Sequence, residues 1–182
     1  MKKKYPIYVL GVLLLCVVPF AYVLFQAETK DIYIPQSTYT EVVALDFEKN
    51  YPKNPHSLIS ENNKIIRSLY SGAVLQEEIE PALVKQRKLF SDEIIEKNTL
   101  EYQLSNTIRE ISLLAENTQY IISIDIESVL YDEDDNKICT VITKQNTTTG
   151  HLIYTEYRLA VINGDWKILG WTNTIIQGQE EE

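Results

Sequence analysis

Residues 151–176 read HLIYTEYRLAVINGDWKILGWTNTII, and the Asn163-Gly164 pair at their centre decides the fold. Both residues tolerate positive φ, as a two-residue type I′ hairpin requires, so the strand from His151 to Ile162 passes directly into one from Asp165 to Ile176. Working outward, Asn146 to Gly150 forms a turn, Lys137 to Gln145 a strand, and the acidic run Asp132 to Asn136 another turn. Before that, Tyr120, Ile122, Ile124 and Ile126 alternate with Ser123, Asp125 and Glu127, so a further strand turns one face to a core. From Asn117 on, the chain is an antiparallel meander.

Ahead of the meander the apolar period is helical. Thr99 begins the clearest helix, in which Leu100, Leu104, Ile108, Ile111 and Ala115 step onto one face. Asn54-Pro55 supplies an N-cap with proline at the first helical position; Leu58/Ile59, Ile65/Ile66 and Leu69/Tyr70 follow, and Gly72 closes the helix. Pro81 suits a first turn, and the apolar pattern from Leu83 to Ile95, interruptible at Ser91, is one kinked helix or two. Thr38 to Phe47 fits strand and helix equally. Helices first and strands after give an α+β fold, with about three helices packed on a curved antiparallel sheet.

From Tyr5 to Ala27 no side chain is ionised near neutral pH, and the nineteen residues Ile7 to Phe25 would span about 29 Å as a helix. Lys2, Lys3 and Lys4 orient such a helix with the N-terminus in the cytoplasm. A signal-peptidase site is poorly matched, since cutting after Ala21 or Ala27 places Pro19 or Phe25 where a small residue belongs. Lipidation at Cys16 is likewise disfavoured by Leu15. The expected organisation is a cytoplasmic end (1–4), a transmembrane helix (5–27), a linker (28–37), an extracytoplasmic domain (38–176) and a polar tail (177–182). The chain would then be a single-pass cell-membrane protein with its C-terminal domain outside.

Three of the 17 basic residues are those lysines, so the rest of the chain carries 14 basic against 26 acidic residues. Such a domain is repelled by phosphate backbones, which excludes nucleic acid as the expected partner. With Cys16 in the apolar segment, Cys139 has no partner for a disulfide inside the domain and reads as a buried small hydrophobe.

Sequence reasoning assigns no catalytic, cofactor-binding or metal-binding residue. HExxH, CxxC, GxSxG and phosphate-loop patterns are missing, and His56 and His151 lack metal-ligand spacing. Asp125 and Glu127 share a strand face, where carboxylates are ordinarily solvated. Asn146-Thr147-Thr148 matches a glycosylation acceptor but reads as a turn. Tyr120, Tyr131, Tyr154 and Tyr157 cluster in the sheet, where packing competes with lining a ligand cavity. Trp166 and Trp171 differ in parity, so an unbulged strand turns one to the core and the other to a mouth or partner surface.

Gly164-Asp165-Trp166-Lys167-Ile168 after helices and a meander resembles the NTF2-like (SnoaL-like) cone. Asn50-Tyr51-Pro52 with Pro55, Leu69-Tyr70, Gln86-Arg87-Lys88-Leu89-Phe90 and Trp171 further resemble an uncharacterised family of small, N-terminally anchored Gram-positive bacterial proteins. The resemblance implies fold without activity. The expected function is a membrane-anchored binding or scaffold module, engaging the membrane through residues 5–27 and an envelope protein or small ligand through its domain, with a homodimer as a further option. The alternatives are an acid/base enzyme acting on a small molecule and a subunit of a secretion or conjugation assembly.

Overall fold

The computed structural model describes residues 34–176. Contacts divide the chain after Ile34, and the unit beginning at Pro35 carries every element described. Five helices come first: α1 (Tyr39–Val43), α2 (Pro55–Tyr70), α3 (Gln76–Arg87), α4 (Asp92–Lys97) and α5 (Leu100–Glu116). Four strands follow, β1 (Ile121–Tyr131), β2 (Ile138–Thr147), β3 (Leu152–Ile162) and β4 (Asp165–Ile176), forming one antiparallel sheet in the order β1-β2-β3-β4.

The α+β order is as expected, but the expected fold of a transmembrane helix followed by an NTF2-like cone of about three helices is corrected. The described residues form five helices and a four-stranded meander, and none of these helices is long and apolar enough to cross a membrane. The expected membrane segment at 5–27 lies outside the described residues, as do the cytoplasmic end, most of the linker and the polar tail.

The extra helices have local causes. The ambiguous stretch after Thr38 is helical because burying Val42 places the carbonyls of Val42, Val43 and Leu45 within 2.6–2.9 Å of Lys85 Nζ, which caps them. Pro81 lies inside α3 rather than in its first turn; the helix starts earlier, where the Glu78 carboxylate accepts the Leu75 N–H at 2.9 Å. The chain then leaves the helical path to pair with β4. Ser91 N–H donates to the Ile168 carbonyl, and Ile168 N–H donates to that of Leu89, each at 2.9 Å. The uncertain region is therefore two helices, and residues 89–91 cover part of an otherwise open sheet edge.

α2 follows its sequence signals closely. Asn54 Oδ1 accepts the Ser57 N–H at 2.8 Å, Ser57 Oγ accepts the Asn54 N–H, and Gly72 at φ 82° ends the turn. Leu58, Ile59, Ile65 and Leu69 are at most 1% exposed; such burial is worth about 2 kcal/mol for each side chain.

In the sheet, Asn163 (φ 53°) and Gly164 (φ 90°) make the expected turn. Three register shifts alter the expected facing of residues. Ile122 and Glu127 are extra residues in β1, so Ile121 is buried while Ile122 is 46% exposed. In β4 the extra residue is Leu169: Ile168 pairs with Leu159 and Gly170 with Arg158. Trp166 and Trp171 therefore pair with Val161 and Tyr157, which are four residues apart on β3 and share a face. The bulge cancels the parity difference and turns both tryptophans towards the helices.

That helix-facing surface has two halves. Cys139, Val141, Leu159 and Ile168 join α2 and α3 in the apolar core. Farther along the same strands, Thr143, Gln145, Thr147 and Thr155 are equally buried but polar. A sheet face changes character in mid-strand only where something other than an apolar helix lies over it.

Candidate functional site

Over most of the polar half lies a cavity of about 460 Å³, between the sheet and helices α2, α3 and α5. Gln145, Thr147, Ile153, Thr155, Tyr157, Trp171 and Asn173 form its sheet wall. From α5 come Tyr102, Gln103, Asn106, Thr107, Glu110 and Leu114, a stripe at helical spacing. The most buried members of α5 are Gln103 and Thr107, at 8% and 5% exposure. The expected stripe Leu100, Leu104, Ile108 and Ile111 is only half-buried, and Ala115 is exposed, because the helix turns its polar flank to the cavity.

Four side chains form a hydrogen-bonded line into the interior. Arg87 Nη1 donates to Gln103 Oε1 at 3.1 Å, Gln103 Nε2 to Gln86 Oε1 at 3.1 Å, and Gln86 Nε2 to Asn62 Oδ1 at 3.0 Å. Arginine can only donate, so it fixes the sense of every amide after it. Asn62, 1% exposed, ends the line with Nδ2 beside the Tyr157 hydroxyl but with no partner at hydrogen-bonding geometry. Arg87 also donates to the carbonyls of Ile95 and Asn98 at the end of α4, which anchors the line in backbone. All its acceptors here are neutral oxygens.

A second set crosses the sheet. Gln145 Nε2 donates to Thr155 Oγ1 at 3.0 Å, and Thr155 Oγ1 donates to Asn173 Oδ1 at 2.9 Å. At the rim, Tyr70 Oη donates to Glu110 Oε2 at 2.6 Å. Burial, followed by the neighbouring Glu110 charge, pushes the Tyr70 phenol well above its ordinary range. Burial does the same to Tyr157. Trp171, 45% exposed, stacks on buried Phe90 with ring centroids 5.5 Å apart, and Tyr102 is 62% exposed.

The lining contains eight carboxamides, and its charged members are Lys97 and Glu110, both exposed at the rim. Chemically it is a neutral surface of donors and acceptors with aromatic walls. Tyr120 and Tyr157 of the expected cluster line it, but Tyr131 and Tyr154 do not. Neither do His56, His151, Asp125 or Glu127. Asp125 lies on the outer face beside Ser123 and Asn146. Asn146, expected in a turn, is in β2 and donates to Ser123 Oγ at 2.7 Å. Cys139 is buried in the core, its thiol pushed up to about 11 by burial. Among the described residues no group of three or more His, Cys, Asp or Glu could hold a metal ion.

Asn62, Gln86 and Gln103 were not identifiable as site residues from sequence. The available signal was a pair of glutamines, Gln86 and Gln103, each among apolar residues at helical spacing, and an asparagine, Asn62, between Ile59 and Ile65. A family model described as a domain of unknown function (DUF6715) matches residues 1–171. No curated protein matches the chain.

Proposed function

Because the chain belongs to the DUF6715 family, whose description states no activity, we propose from the cavity itself that the protein is a noncatalytic binding module for a small neutral molecule. The observation that carries this reading is a cavity of about 460 Å³ lined by eight carboxamides and backed by the buried Arg87-Gln103-Gln86-Asn62 line. That volume is in the range of small-ligand sites.

The same lining supports binding over proton transfer. A general acid or base works best with a pKa near the working pH, whereas the buried phenols of Tyr70 and Tyr157 are shifted away from it. The carboxylate in the lining, Glu110, is exposed and already accepts Tyr70.

Ligand-observed NMR with a mixture of small neutral molecules tests the reading. Binders should appear with the intact protein and disappear with Thr107→Phe, which fills the cavity from α5. Circular dichroism would check that the variant is folded. Absence of any binder, or binders indifferent to a folded Thr107→Phe, would refute the proposal.

A further inference from the structure

We infer that the cavity takes a neutral carbohydrate of one or two rings, held by the carboxamides and stacked at the mouth on Trp171. This rests on the binding reading above and specifies the ligand.

Each carboxamide sets a donor beside an acceptor, and each sugar hydroxyl is both at once. A ligand carrying many hydroxyls can therefore answer many carboxamides in either sense. An apolar ligand of the same volume would pack on the aromatic and aliphatic lining but would leave the amide groups that face it without a partner. An anion would meet the net charge of −9, with the exposed Lys97 as its cation in the lining. A cation would meet Glu110 only at the rim, where Lys97 also stands, and no carboxylate among the deeper lining residues.

The mouth adds a second, independent feature. Phe90 backs Trp171 at 5.5 Å with the rings inclined by 28°, so the indole is held in place while nearly half its surface stays open. A pyranose presents a face of C–H groups with hydroxyls around its rim. Such a face suits an open indole, and the rim then faces the carboxamides.

The arginine-anchored line orders the deep end. Because Arg87 fixes the amide sense, Asn62 turns Nδ2 towards the Tyr157 hydroxyl, which lines the cavity. Asn62, Gln86, Gln103 and Arg87 are thus positioning residues for the polar groups of the deep wall.

The test is a titration of the full chain with glucose, N-acetylglucosamine, cellobiose, glucuronate and N-acetylalanine methylamide, read by the Trp171 indole and Asn62 side-chain amide signals in NMR. A neutral sugar should shift both signals saturably, and glucuronate should bind about tenfold more weakly or worse than its neutral counterpart. Asn62→Asp, which exchanges the donor for an acceptor, and Trp171→Ala, which removes the stacking face, should each weaken sugar binding about tenfold while circular dichroism shows the variant folded. Thr172→Ala, on the outer face of β4, should leave it unchanged. Binding of the methylamide without any sugar would overturn the carbohydrate assignment while leaving the binding reading intact. Silence from every compound here and from the neutral mixture above would overturn both.

Discussion

Gly72 couples the end of α2 to the cavity wall, and replacing it with alanine has a calculable consequence. The residue sits at φ 82°, and a Cβ built there would lie 2.6 Å from Cδ1 and Cε1 of Tyr120. A left-handed alanine costs about 1–2 kcal/mol. The reduced freedom of the unfolded chain returns about 0.4–1 kcal/mol of this. Tyr120 cannot move away as a unit, because its N–H donates to Thr148 Oγ1 and its carbonyl accepts the Thr148 N–H, both at 2.9 Å. The ring must therefore rotate off its preferred rotamer or crowd its neighbours, adding about 1–3 kcal/mol. Gly164 is the matched control: φ is 90°, but nothing lies within 4 Å of a Cβ there. Urea unfolding should show a loss of about 1 kcal/mol for Gly164→Ala, and about 2–4 kcal/mol for Gly72→Ala. The near-ultraviolet circular dichroism of Gly72→Ala should also change as Tyr120 turns. Equal losses for the two variants would refute the close approach of Gly72 to Tyr120.

Gln86→Met keeps the length of the side chain but orphans Gln103 Nε2 and Asn62 Oδ1, so chemical denaturation should report a loss of about 2–4 kcal/mol. Asn54→Ala removes the cap on Ser57 N–H and should cost about 1 kcal/mol in the same assay. Burial raises the Cys139 thiol from 9.0 to about 11, so the folded state keeps its proton after the unfolded chain has released it. The resulting stabilisation is complete below pH 9 and is lost as pH rises towards 11. Melting temperature should fall across that window, and Cys139→Ala should flatten the fall; an unchanged slope would refute the burial argument.

The sheet was legible because its signals are local. An Asn-Gly turn needs no tertiary context, and β2, β3 and β4 were located to within about two residues of their observed ends, while the alternation of β1 was followed only to Glu127. The cap of α2 was equally plain in Asn54-Pro55. Facing was harder to read. Alternation assigns faces only while register is unbroken, and single extra residues at Ile122, Glu127 and Leu169 reset it; a neighbouring glycine, Gly170, marks the last of these, while the two in β1 have no glycine or proline beside them. Residues 88–91 left the helical path for a hydrogen bond to Ile168, a partner some eighty residues away in sequence.

The site was hidden for a related reason. An apolar stripe normally marks the buried side of a helix, and α5 has one in Leu100, Leu104, Ile108 and Ile111. Its deepest residues are nevertheless Gln103 and Thr107, since the helix also walls a polar cavity. Hydrophobic periodicity is silent about buried amides that satisfy one another. Their arrangement emerges only when α2, α3 and α5 bring Asn62, Gln86 and Gln103 together.

The most direct test of a ligand-accessible, carboxamide-lined interior is the spectrum of side-chain amide protons recorded while the neutral mixture is added. The Asn62 and Gln103 pairs should shift together and saturate, while the Asn146 pair, held on the outer face by Ser123, stays fixed. Shifts confined to surface amides, with Asn62 and Gln103 unmoved at saturating ligand, would contradict it.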